Sequence, residues 1–432
     1  MAIYLFETRS LRDRLSPLTE NKTILELLAG GISILDAWTF NNQDQGTVTF
    51  SVITEDFLSD VSGEDRCIER GDYLVFAGLR PVALNTLFDA KQGSGISLGA
   101  GLITRQNDKE DQAEQQVLAV RLKEKLAISD IRNAVINQAD PNKALFTLLA
   151  PQKIRWTEAR EVRQVFHPED LLHFAGADIR SAIDFQLAKG GPFLDAKAIE
   201  ASGNKIRGSH EVVIEQSAEV HFAIFNTENG PIYIGKNARV MEGCLIRGPL
   251  FLGDNSTLKM GTKLYGPVVT GSDVVLGGEI KNCIFHKGTN KGHDGYLGDS
   301  IIGAFCNFGA GSGGSNVKNT AGMVRVYDAA LQDYRSVGQK FGALMGDYTR
   351  IGVGTQLTTG SNIGLCCNIF GLEMPPRHVR SFLWGTGHNL TDYQIEKAVV
   401  HIENWLRFKL SSLDKREIQI LNHIFDQTGR RR

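Results

Sequence analysis

A chain of 432 residues with 47 basic and 49 acidic side chains has a net charge of −2, leaving no basic excess to hold a nucleic-acid backbone. Its 42 % hydrophobic and 22 % charged content excludes a wholly disordered chain. No run of about 18 apolar residues marks a membrane-crossing helix, and the apolar residues 1–6 lack the basic lead of a signal peptide. Six cysteines show no CxxC spacing, so they read as small core residues in a reducing, cytoplasmic setting. Of 46 glycines, 28 fall between residues 230 and 371, so one part of the chain is built differently from the rest.

In chain order, Ala2–Phe6 and residues 73–77 are short apolar strand candidates, and 46–53 alternates as a half-buried strand does. Residues 106–116 read as an exposed polar loop. Apolar residues at helical spacing predict helices over 119–137 and over 177–189, the second ended by Gly190-Gly191. Alternating strands and helices favour an α/β domain over 1–208. Gly30-Gly31 is too isolated to form a phosphate loop.

From about residue 212 the period becomes six. Ile234, Val240, Ile246, Leu252, Leu258, Leu264, Thr270 and Leu276 are evenly spaced, with Ala238, Cys244, Leu250, Ser256, Thr262, Val268, Val274 and Ile280 four places on. The pattern resumes at Met345, Ile351, Leu357, Ile363 and Ile369, with Thr349, Thr355, Ser361 and Cys367. Neither a helix (3.6) nor a plain strand (2) has this period. It predicts a parallel β-helix over 209–388, three hexads to a coil, with glycines at the corners. A polar insertion, 317–340, with strand character near 323–327, interrupts it. Pro375-Pro376 ends the repeat. Thr391 to Gln394 reads as a capping box, and helices over about 392–408 and 413–425 should cover the open end of the solenoid. The 389–432 segment ends in the basic tail Arg430-Arg431-Arg432.

Glu279-Ile-Lys281-Asn, then Lys291-Gly-His293-Asp-Gly-Tyr296-Leu-Gly-Asp, then Gly309-Ala310-Gly311 and Asn316 resemble the bifunctional N-acetylglucosamine-1-phosphate uridyltransferase / glucosamine-1-phosphate acetyltransferase family in order and without a gap. The layout is also similar to sugar-nucleotidyltransferase-like proteins with the same two parts. The resemblance implies a left-handed β-helix acyltransferase-like domain, a Rossmann-like nucleotidyltransferase domain before it, and a homotrimer. It implies His293 as the base taking a proton from an attacking sugar amine, a role that an imidazole with an ordinary pKa near about 6.5 suits. It further implies Glu279, Lys281, Tyr296 and Asn316 on the sugar phosphate, and Ala310 beside the thioester of acetyl-CoA as co-substrate.

The sequence departs from that family at three points. Val317 follows the asparagine where the family has tyrosine, and 266–270 lacks the family's arginine. The family's G-S-D, whose serine helps hold the acetyl group, is matched to Gly346-Asp347-Tyr348. At the N-terminus Arg14-Leu-Ser-Pro-Leu-Thr19 matches the end of the nucleotidyltransferase phosphate loop, but the loop's glycines are absent. Arg12, Arg14 and Lys22 remain candidates for a phosphate, with Mg2+ and a nucleoside triphosphate if this half is active; Asp72 is a candidate metal ligand. His286 and His293 could alternatively bind zinc, as in hexapeptide-repeat carbonic anhydrases, but lack a suitably spaced third histidine. Two readings follow: a transferase acting on a sugar phosphate or nucleotide sugar, or a sugar-nucleotide-binding or regulatory protein without chemistry. Neither has a nucleic-acid or membrane partner.

Overall fold

The computed structural model describes residues 1–45, 48–59, 66–88, 96–106, 114–159, 162–387 and 389–430. By its internal contacts the chain forms two compact units. One comprises Met1–Arg12, Lys22–Glu26 and Ser33–Phe166; the other Asp13–Asn21, Leu27–Ile32 and His167–Arg432. The contact boundary thus falls before the helix Pro168–Lys189, whereas the sequence reading drew its line at 208.

The first unit is α/β. Its mixed six-stranded sheet runs Arg155–Glu158, Ala100–Gln106, Glu114–Arg121, Tyr73–Phe76, Ala2–Phe6, Thr49–Ile53. Ala2–Phe6 is parallel to both neighbours, and Glu114–Arg121 is antiparallel to both of its own. The expected helix over 119–137 is corrected here. Residues up to Arg121 belong to a central strand, and the helix is Ile128–Ile136. Val117 to Val120 are wholly buried, and a short apolar run buried on both faces has no period that separates strand from helix. Both ends of the expected loop 106–116 lie in paired strands; its middle lies outside the described residues, as does the end of the basic tail.

The second unit is the left-handed parallel β-helix. Every inward hexad position named above is buried, from Ile234 at 0 % exposure to Ile246 and Leu264 at 2 %. Parallel ladders repeat at 18 residues, Val240 on Leu258 on Leu276. Each coil closes through tight corners. One corner column is glycine with positive φ, Gly243, Gly261, Gly311 and Gly354 at 70–77°, a region a Cβ disfavours. The hexad phase then slips: Leu264 pairs with Ile280 and Leu276 with Lys291. The coils between 264 and 308 are therefore shorter than 18 residues.

The three faces of this prism differ in their covering. On the second face the outward residues Tyr233, Phe251, Val269, Ile284, Ile301 and Leu344 are all buried, because the helix Pro168–Lys189 packs across their strands. Burying such a side chain stabilises by about 2 kcal/mol each, so the helix belongs to the solenoid. Gly30 and Gly31 are packing glycines in this layer: a Cβ would strike the Asp178 backbone and the Phe251 ring, respectively. The insertion forms an antiparallel hairpin, Val324–Asp328 with Asp333–Gly338. Arg335 anchors it, forking onto Glu169 of the same helix and donating to Asp328 at 3.0 Å.

The third face carries the C-terminal helices Ile395–Arg407 and Lys415–Arg430. The capping box is corrected: Thr391 and Asp392 lie in a strand paired antiparallel with Leu383–Thr386, and Gln394 precedes the helix without a side-chain cap. Lys409 reaches the Asp273 carbonyl and Asn290 in the middle coils. The helices thus run down a side of the solenoid as well as meeting its last coil, where Phe425 packs on Phe382.

Candidate functional site

Among the described residues the first face carries no such layer over its early coils: Ile224 and Leu245 are each 46 % exposed. Strand alternation sends Leu264, Ile280 and Leu297 inward and their neighbours outward. The outward residues form two columns, Ile224–Leu245–Lys263–Glu279–Tyr296 and Tyr265–Lys281–Gly298. Stacking therefore brings Glu279, Lys281 and Tyr296 onto one surface from two successive coils.

The side chains are tied to one another. Tyr265 Oη donates to Glu279 Oε1 at 2.6 Å, and this bond, followed by burial, pushes the phenol up to about 12. Burial, first, and the nearby Tyr265 and Asp299 raise the Tyr296 phenol above its ordinary value, so both tyrosines stay protonated donors near neutrality. Asp299 accepts from Asn282 Nδ2 at 2.6 Å and from Asn316 Nδ2, which ties the buried Asn316 amide to Asp299 one coil before it and to Asn282 two coils before it. The Tyr296 hydroxyl lies over the bare Cα of Gly298: a Cβ there would stand 2.2 Å from it and 3.0 Å from the Asn316 amide carbon. Gly298→Ala is therefore expected to push the Tyr296 ring outward. The overpacking should cost about 1–3 kcal/mol of stability, as urea unfolding of the variant would show.

His293 is exposed, on the corner between the third and first faces. Its loop is held by Lys291, whose Nζ donates to the Gly277 carbonyl at 3.1 Å and to the His293 carbonyl. Asn290 pairs with Asn307 and Phe308 with Ile351. His293, Ala310 and Val353 therefore succeed one another on a single corner, one per coil. His286 is buried on the preceding corner, away from this column. Among the described residues no group of three or more His, Cys, Asp or Glu is placed to hold a metal ion.

Asp347 does not share the His293 corner. It follows Ala343–Met345, at the turn between the second and third faces. There Oδ1 accepts from Ala304 N at 2.8 Å and Oδ2 from Asn21 at 3.0 Å. Asp254 makes the same bond to Lys236 N at 2.9 Å, so both carboxylates cap the coil before them. The residue on the His293 corner is Val353, 72 % exposed.

Ile224, Asn226, Leu245, Arg247, Lys263, Tyr265 and Glu279 line a groove of about 460 Å³ on the first face. The sequence reading named neither Arg247 nor Lys263, because both lie in earlier coils and carry no motif. Five of the six cysteines are buried thiols, and Cys67 is a half-buried one.

In the first unit Glu7 fills the turn after Ala2–Phe6. Its carboxylate, with no exposure, accepts from Arg12 at 2.9 Å, Thr54 Oγ1 at 2.6 Å and Ile24 N at 2.5 Å. Arg12 also donates to the Lys22 carbonyl at 3.1 Å. Lys22 is buried; Arg14 belongs to the second unit, where it is half-buried and acts electrostatically on His167 of that same unit. Asp72 accepts from Ala2 N at 2.8 Å, joining strand ends.

Fold and site define a class: a left-handed hexapeptide-repeat β-helix joined to an α/β unit. No protein-family model matches the chain. It is 37 % identical over 86 residues to the bifunctional protein GlmU of Methanococcus vannielii and 33 % over 103 residues to that of Methanocaldococcus jannaschii. These matches cover 20 % and 24 % of this chain, and 20 % and 25 % of those relatives' length. Among solved structures it is similar to the polysialic acid O-acetyltransferase OatWY (15 % identity, TM-score 0.28, 44 % of this chain and 87 % of that one). It is also similar to a serine-to-alanine mutant of AntD, an N-acyltransferase from Bacillus cereus, in complex with dTDP-4-amino-4,6-dideoxyglucose and coenzyme A (13 %, TM-score 0.20, 51 % and 100 %). No helix of the described residues is long and apolar enough to cross a membrane.

Proposed function

We propose that the solenoid is an acyltransferase acting on the amine of a sugar phosphate or nucleotide sugar, with acetyl-CoA as the class of donor. The observation that carries this reading is the succession of His293, Ala310 and Val353 on one corner beside the column that ends in Glu279 and Tyr296. In this reading the neutral amine attacks the thioester carbonyl and forms the C–N bond, and His293 takes the amine proton. The C–S bond breaks, and the leaving thiolate is protonated. Lys281 offers an ammonium to the phosphate, the protonated Tyr296 a hydroxyl, and Asn316 an amide already oriented by Asp299. Arg247 and Lys263 would supply the cationic charge that the absent arginine of 266–270 does not.

A second reading applies to the first unit: a retained but non-catalytic nucleotidyltransferase-like domain. Its support is Glu7, a carboxylate already bound by the guanidinium, hydroxyl and amide of its turn. A bound nucleotide phosphate there would face a like charge. The purified protein is assayed with acetyl-CoA and a set of amino-sugar phosphates and nucleotide amino sugars, reading thiol release. A parallel assay reads pyrophosphate release from UTP or dTTP with sugar-1-phosphates. Thiol release with an amino sugar and no pyrophosphate release are the expected results. No thiol release with any amino sugar overturns the first reading, and pyrophosphate release overturns the second.

A further inference from the structure

We infer that the cavity between the third face and the helix Ile395–Arg407 is a binding site for a small planar carboxylate, separate from the first-face site. The cavity holds about 200 Å³ and is walled by Tyr348, Arg350, Asn368, Tyr393, His401 and Trp405. An apolar cavity of about 150 Å³ accepts benzene, so this one accommodates a ring bearing one carboxylate. The walls are flat. The Arg350 guanidinium lies 4.9 Å from the Trp405 ring centroid, and Tyr348 stacks parallel on Phe305 at 5.8 Å.

Arg350 states what the ligand must be. Of its five N–H donors, Nη1 is engaged with the Phe305 carbonyl. Among the described residues no carboxylate forms an ion pair with it. The groups that act on it, Cys306, Cys366, Tyr393 and Tyr348, include no carboxylate, and burial depresses its pKa. The two carboxylates that reach Tyr348 are Asp347 and Glu417. Both are engaged elsewhere, Asp347 with Ala304 N and Asn21 and Glu417 with Asp414 N. A guanidinium drawn from water without a counter-charge is costly, and a planar carboxylate matches its fork with two parallel hydrogen bonds. With Arg350 the one lysine or arginine among the described lining residues, a monoanion fits better than a phosphate dianion. The stacked rings favour a flat apolar body.

Benzoate, neutral benzamide and cationic benzamidine are titrated into the full-length protein by calorimetry, with tryptophan fluorescence reporting Trp405. Benzoate is expected to bind saturably, at least roughly tenfold tighter than benzamide, and benzamidine not at all. Arg350→Met is expected to weaken benzoate by the same factor. Equal affinity for benzoate and benzamide in the unmodified protein overturns the proposal, as does the absence of saturation by about 10 mM. Undiminished benzoate binding by R350M with native circular dichroism also overturns it. The comparison of the three probes needs no variant, so it decides the matter even if R350M fails to fold.

Discussion

His293→Ala is expected to lower kcat for acyl transfer by about 10²–10⁴-fold, the usual contribution of a positioned general base, while the KM for acetyl-CoA stays near its original value. The fold should be indifferent to the change. The side chain is exposed, and its corner is held through its carbonyl rather than its ring, so stability should move by less than about 0.5 kcal/mol. That separation is the test: thiol-release kinetics and urea unfolding are run on the same preparation. A rate within twofold of the unmodified protein would assign the base elsewhere. A matching loss of stability would make the residue structural.

The second large effect is expected at Lys291. In the ladder Val240–Leu258–Leu276 the next residue inward is this lysine, followed by Phe308, Ile351 and Ile369. It is 1 % exposed, and burial lowers its pKa to about 8 from the ordinary 10.5. Because the folded-state pKa lies below the unfolded one, the unfolded chain binds more protons between pH 8 and 10.5. The ammonium therefore destabilises the fold fully below about pH 8, and the penalty fades as pH rises to 10.5. The shift corresponds to up to about 3 kcal/mol. Lys291→Met fills the column with an unbranched apolar chain and removes this dependence. The stability of the unmodified protein relative to K291M is expected to rise by up to about 3 kcal/mol across that window, measured by urea unfolding of the solenoid. A constant difference would refute it. Freed from Nζ, the loop carrying His293 loses its tie, and kcat should fall roughly tenfold, since misplacement of a catalytic group by about 1 Å is costly.

These two residues show what sequence could and could not disclose. His293 became a candidate because residues 279–316 follow one motif in order. Lys291 stands two places before it in the same motif, yet its position inside an aliphatic column depends on register. The pairing of Leu276 with Lys291 reflects a shortened coil that counting in sixes passes over. Asp347, matched by sequence to a serine near the acetyl group, is placed on another corner as a turn cap, a position that only the pairing of Met345 with Ile302 discloses. Arg247 and Lys263 precede the motif by one or two coils and come beside Glu279 only through stacking. The error over 119–137 has a different origin: a strand buried on both faces erases the alternation that identifies strands.

The sequence by itself determined the solenoid. One inward aliphatic every sixth residue can bury its side chains only in a coil of that period, and the local glycine excess marks where the chain must turn with positive φ. It also determined that the turn after Ala2–Phe6 in the first unit lacks phosphate-loop glycines. Only the tertiary structure decided which corner each motif occupies and which face each helix covers. It alone placed an internal carboxylate, Glu7, among the donors of that glycine-free turn, and among the described residues gave Arg350 no carboxylate in an ion pair. Those outcomes depend on register between coils and on contacts between residues far apart in the chain, and neither leaves a periodic trace along it.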